Sequence, residues 1–224
     1  MKKAPVDTHI RNVLCFGDSN TWACEPFKHI ASTPTRLKKS DRWTRIMAQQ
    51  SSFDVDVIED GLSARTTVFD DPVEGPHKNG SRLLIASIET HAPLDIVVLM
   101  LGTNDFKLQF GANAFMSARG MLTLIQQIKG YYALAEGGPE VLIVAPPMIM
   151  PIAEKAYWGD AAERCQGHAE YLAQVADRTG CFFFDSNSVA SAGRDGVHLS
   201  VEGHHALGRA LGKVISEILE IRSM

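Results

Sequence analysis

The chain has 224 residues, of which 45% are hydrophobic and 21% charged, and its formal net charge is -4. That length suits a single α/β domain large enough to bury a core without disulfides or a structural metal, and the mild acidity argues against a nucleic-acid partner. No run approaches the ~20 apolar residues of a membrane span. Four cysteines, Cys15, Cys24, Cys165 and Cys181, form no CxxC pair and match no zinc spacing, which suits a reducing compartment. Met1-Lys2-Lys3 is not followed by a signal-length apolar run, because Asp7, His9 and Arg11 interrupt it, so a cytoplasmic location and no membrane association are expected.

Val13-Leu14-Cys15-Phe16 reads as a buried strand ending at Gly17. A polar segment follows, whose basic tract Arg36-Leu37-Lys38-Lys39 reads as a solvated loop. Asp41 looks like the N-cap of a helix over 42–50. Val55, Val57 and Ile58 give a second strand, stopped by Asp60-Gly61. The segment 62–77 has no period and carries Pro72, Gly75 and Pro76, the composition of a binding loop. A helix begins at Asn79 or Ser81 and ends near His91. Residues 96–101 are apolar at every position, as expected of a strand covered on both faces of a parallel sheet. Helix 112–132, strand 141–145, helix 160–179, strand 181–184 and a closing amphipathic helix over 201–221 complete the order. Strand and helix alternate, so the expected fold is one doubly wound domain over 1–224 with helices on both faces of a parallel sheet.

Ligands of such sheets bind at the carboxyl ends of the strands. Ser19, Gly61, Asn104, and the pair Asp195 and His198 all fall on segments leaving those ends. Together they meet the needs of ester cleavage. A serine hydroxyl requires a base, here His198, and the base requires an acid to orient it, here Asp195 three residues earlier. The developing oxyanion requires donors, for which the amides of Ser19 and Gly61 and the side chain of Asn104 are candidates. Asp18 is expected to hold the serine loop by a structural hydrogen bond, and Asp105 to act as a cap or surface charge. Trp22 and Phe106 flank the motifs as candidate pocket walls. Arg65 is read either as binding a loop carboxylate or as facing the entrance, and His204 and His205 are expected to be exposed.

Phe16-Gly17-Asp18-Ser19-Asn20-Thr21-Trp22, Ile58-Glu59-Asp60-Gly61-Leu62-Ser63, Leu101-Gly102-Thr103-Asn104-Asp105 and Asp195-Gly196-Val197-His198 resemble, in order, the sequence blocks of the GDSL, or SGNH, hydrolase family. Asn20 stands at the leucine of the motif's name and Ala23 where many relatives carry glycine. The resemblance implies a flavodoxin-like three-layer α/β/α sandwich with five parallel strands. It also implies nucleophile Ser19, triad partners Asp195 and His198, oxyanion donors Ser19, Gly61 and Asn104, and no cofactor or metal. Asp41-Arg42-Trp43-Thr44 and the run from Glu59 to Thr67 are similar to the small bacterial arylesterase and acyltransferase branch. That likeness implies short acyl esters of aryl or simple alcohols, with acetylated sugars also compatible, possible acyl transfer to alcohols or peroxide, and a homo-oligomer.

Two rivals come from other classes. Asp7-Thr8-His9, Gly17-Asp18 and the Asn104 block faintly echo a two-metal phosphoesterase, but Asp7 and His9 precede the first strand. A non-catalytic receiver-type binding module would need a lysine at the end of the fifth strand, where Asp185 and Ser186 stand.

Overall fold

A computed structural model describes residues 9–29, 32–135 and 137–223. Asp7 and the Met1-Lys2-Lys3 start lie outside the described residues. The sheet is formed by β1 (Arg11–Gly17), β2 (Val55–Gly61), β3 (Ile96–Met100), β4 (Glu140–Ala145) and β5 (Phe182–Asp185). All pairs are parallel and the order is β2-β1-β3-β4-β5. The chain order therefore reverses direction after β2, which places a crevice beyond the ends of β1 and β3.

Successive strand residues point to opposite faces, and the core divides accordingly. Leu14, Phe16, Val97, Leu99 and Ile143 face one layer, built from α3 (Gly80–His91), α4 (Ala114–Tyr131) and α7 (His168–Thr179). Val13, Cys15, Val98, Met100 and Val144 face the other, built from α2 (Trp43–Gln50) and α8 (Val201–Arg222). Every residue of β3 is buried, so the apolar run does mark a strand covered on both faces. Each such aliphatic side chain contributes roughly 1.5–3 kcal/mol by leaving water. Among the described residues, no helix is long and apolar enough to cross a membrane.

Three local expectations fail for identifiable reasons. The helix expected over 160–179 is broken into α6 (Ala161–Arg164) and α7, because Gly167 takes a φ of 77°, and a separate short helix, α5 (Lys155–Trp158), precedes it and ends at Gly159, φ 59°. Asp41 does not cap α2: it ends a 3-10 turn, Arg42 is the cap residue, and the Asp41 carboxylate pairs with His205 Nε2 at 3.1 Å. The basic tract is not fully solvated either. Leu37 is buried, and Arg36 donates to the Trp22 carbonyl at 2.7 Å while its guanidinium covers the Trp22 ring.

Candidate active site

The segment leaving β1 turns at once into a short helix, α1 (Ser19–Trp22). Asp18 caps it, its Oδ1 accepting the Asn20 amide at 2.9 Å, which is the structural bond expected of it. Ser19 is thereby held just beyond the strand end, 5% exposed. Its Oγ lies 2.9 Å from His198 Nε2, and His198 Nδ1 lies 2.7 Å from Asp195 Oδ2.

Asp195 is fully engaged. Oδ1 accepts the amides of Val197 and His198 at 3.0 and 2.9 Å, and Oδ2 also accepts the Phe27 amide at 2.8 Å. Burial pushes the Asp195 carboxyl up, but the bonds from His198 and the two loop amides outweigh burial and hold it below the usual carboxylate range. A four-bonded carboxylate fixes the imidazole orientation and faces the ring nitrogen opposite the one that takes the serine proton. The Phe27 ring packs edge-on to the imidazole, with centroids 5.1 Å apart.

Arg65 organises the segment leaving β2. Its Nη1 donates to the carbonyls of Gly17 and Asp60 at 2.9 and 2.6 Å, Nη2 reaches Asp60 Oδ1 at 2.8 Å, and the guanidinium stacks 3.9 Å over Phe16. It thus binds a carboxylate and ties two strand ends together; it is 3% exposed and does not face the entrance. The bend it anchors places Ser63 and Ala64 in the wall of a cavity of about 520 Å³ that also contains Ser19, Asn104, Asp195 and His198. Ala64 sits at φ 67°, a left-handed conformation uncommon for alanine. No described residue accepts a hydrogen bond from its amide. Asn104 Nδ2 donates to the Arg65 carbonyl at 3.1 Å and lies 3.4 Å from Asp18 Oδ2, a contact weak enough to be exchanged for a developing oxyanion.

Gly61 is not brought to the cavity. It closes β2 in register with Gly17, and a Cβ there would stand 2.1 Å from the Trp22 amide nitrogen. Its glycine is required by α1 packing on the strand, and in the segment leaving β2 it is Ser63 and Ala64 that line the cavity with Ser19. The signal was present as the short run Ser63-Ala64-Arg65, but nothing in a sequence marks an alanine with positive φ.

Trp22 and Phe106 are not cavity walls. Trp22 lies under Arg36, and Phe106 is 1% exposed in a cluster with Trp158 and His168. Phe27, Tyr157 and Trp158 line the cavity instead. Asp105 is neither cap nor surface charge: it is fully buried and accepts from the Thr67 amide, Thr67 Oγ1 and Ser117 Oγ. Burial pushes both Asp18 and Asp105 up to about 6. His204 is also buried, its Nδ1 facing the Trp43 amide at 3.4 Å.

The family described as GDSL-like lipase/acylhydrolase matches residues 15–206. The chain belongs to this family. Among solved structures it is similar to a carbohydrate acetylesterase from Sinorhizobium meliloti, at 36% identity and a TM-score of 0.87, covering 93% of this chain and 99% of that one. It is equally similar to the native aryl esterase of M. smegmatis, at 35% identity, the same coverage and a TM-score of 0.87. No curated protein matches. This GDSL-family chain is a carboxylic ester hydrolase with the SGNH fold.

Proposed function

We propose that the chain hydrolyses short-chain acyl esters of aryl or simple alcohols, with acetylated sugars among the substrates open to it, through an acyl-enzyme on Ser19. The observation that carries this reading is the unbroken path Ser19 Oγ, His198 Nε2, His198 Nδ1, Asp195 Oδ2, with contacts of 2.9 and 2.7 Å, at the wall of an open cavity. Ser19 Oγ attacks the ester carbonyl as its proton passes to His198 Nε2. Asp195 stabilises the imidazolium. The carbonyl oxygen, now negative, is met by the amides of Ser19 and Ala64 and by Asn104 Nδ2. Collapse breaks the ester C–O bond, and His198 returns its proton to the departing alcohol. Water, deprotonated by the same histidine, then releases the acid and restores Ser19.

Hydrolysis of a chromogenic aryl acetate, with and without a strong chelator, tests this. Chelator-insensitive turnover that disappears in Ser19→Ala supports the serine mechanism. Turnover lost to chelator would favour the two-metal rival, for which the described residues supply no cluster of three metal-ligating side chains.

The aromatic walls Phe27 and Trp158 support a second reaction, transfer of the acyl group from Ser19 to an added alcohol in competition with water. Product analysis in the presence of a short alcohol decides it: no transesterified product would remove the transfer. The exposed apolar side chains Leu108, Phe115 and Ile152 support self-association, for which light scattering is the check; a cytoplasmic site of action goes with both proposals.

A further inference from the structure

The cavity has a second polar wall that the hydrolytic steps leave unused, and Glu74 stands in it. Asp71 builds the loop that presents Glu74: its Oδ1 accepts the amides of Val73 and Glu74, both at 2.9 Å, and its carbonyl accepts the Gly75 amide at 3.0 Å. Lys107 Nζ lies 2.9 Å from Glu74 Oε1 and 3.8 Å from Asp71 Oδ2. The Tyr157 hydroxyl donates to the same Glu74 Oε1 at 2.9 Å. Loop, post-β3 turn and α5 thus each send one polar side chain to one wall.

The Lys107 side chain is only 1% exposed, whereas that of Glu74 is 32% exposed. Burying an ammonium so completely costs several kcal/mol unless it is paired, and Glu74 with Asp71 supplies the pairing. Burial pushes the Glu74 carboxyl up, but the bonds from Lys107 and Tyr157 outweigh it and hold the group below its usual range. Glu74 is therefore ionised at neutral pH. Its Oε1 already takes two donors, while Oε2 has Lys78 at 3.7 Å, beyond hydrogen-bond distance, and so keeps accepting capacity.

A short acyl chain or a plain aryl ring carries no donor for such a wall. A charged ligand is not indicated either, because Lys28, Lys107 and Arg194 are balanced by Glu74, Glu154 and Asp195 around the cavity. A neutral group bearing several hydroxyls fits both facts, and the neighbouring rings of Tyr157 and Trp158 offer apolar faces to its C–H surface. We propose that Glu74, Lys107 and Tyr157 form a subsite for the hydroxyl groups of the ester's alcohol part, so that the preferred substrates are acyl esters of polyols or sugars. This rests on Ser19 being the esterase nucleophile.

The test is a specificity ratio, kcat/KM for monoacetylglycerol divided by kcat/KM for phenyl acetate. Glu74→Gln keeps the shape and an acceptor for Tyr157 but removes the charge. The ratio is expected to fall at least ~10-fold, mainly through KM for monoacetylglycerol, because a site built to bond hydroxyls discriminates strongly once its partner is weakened. Tyr157→Phe is expected to lower it ~3-fold through loosened orientation of Glu74, and carries the test if circular dichroism shows Glu74→Gln unfolded. An unchanged ratio overturns the proposal. So does a wild type that cleaves phenyl acetate but not monoacetylglycerol. A folded wild type that cleaves neither ester overturns the esterase reading itself.

Discussion

Asn20, one residue beyond Ser19, accepts the amide hydrogen of Leu199, one residue beyond His198, at 2.9 Å. The same side chain donates from Nδ2 to the Val197 carbonyl at 3.3 Å. Nucleophile and base are 179 positions apart, and this one buried carboxamide joins the segments that carry them. The motif position that departs from leucine thus joins the bonds of Phe27 and Arg194 in holding the Ser19 segment against the His198 loop.

Replacing Asn20 by leucine should leave the Leu199 amide and the Val197 carbonyl unpaired in a dry interior. The cost is ~1–3 kcal/mol per buried unpaired group, read as a lower Tm. Misplacement of the base should also lower kcat by ~10–10²-fold with little change in KM. A Tm loss with wild-type kcat would show that the loops are held by other contacts.

Ser19→Ala should reduce aryl acetate turnover by at least ~10⁴-fold. The Ser19→Ala/His198→Ala double variant should be no worse than either single variant, because the two residues act as one unit. Additive losses in the double variant would contradict a shared proton path.

Asn104→Ala should cost ~10²–10³-fold in kcat, the scale of one lost oxyanion donor. Gly61→Ala should behave differently. Its methyl would meet the Trp22 amide nitrogen at 2.1 Å, backbone that cannot swing aside. The expected result is a lower Tm and soluble yield, with residual folded protein retaining turnover per active site. A specific kcat loss at an unchanged Tm would return Gly61 to the oxyanion hole.

The sheet was legible because its strands are periodic or continuously apolar: residues 96–101 could hardly be anything but a buried strand, and β3 lies there. The triad was legible because Asp195 and His198 lie three residues apart and Ser19 follows a strand. What sequence could not disclose depends on contacts between distant segments. Ala64 reaches the cavity only because Arg65 clamps Gly17 and Asp60. Phe106 turns inward because His168 and Trp158 pack around it. Glu74 and Lys107 meet only in three dimensions, from loops whose lengths carry no period.

The buried His204 makes a prediction about acid stability. Burial first, then the neighbouring His198 and His205, pushes its pKa from 6.5 down to about 3. The folded state therefore binds fewer protons than the unfolded chain between those values. Its stabilising contribution is complete above the unfolded pKa and is lost progressively as pH falls from about 6.5 toward about 3. His168, lowered by burial to about 4, acts in the same direction. Asp18 and Asp105, raised to about 6, act in the opposite direction, because there the folded state holds the extra proton. Removing one histidine isolates its share. His204→Gln retains an acceptor toward the Trp43 amide but no titrating group. The drop in unfolding free energy between pH 7 and about pH 5 should then shrink by about 2 kcal/mol relative to the wild type. Urea unfolding at the two pH values measures it, and an unchanged pH dependence would mean that His204 is protonated in the folded protein.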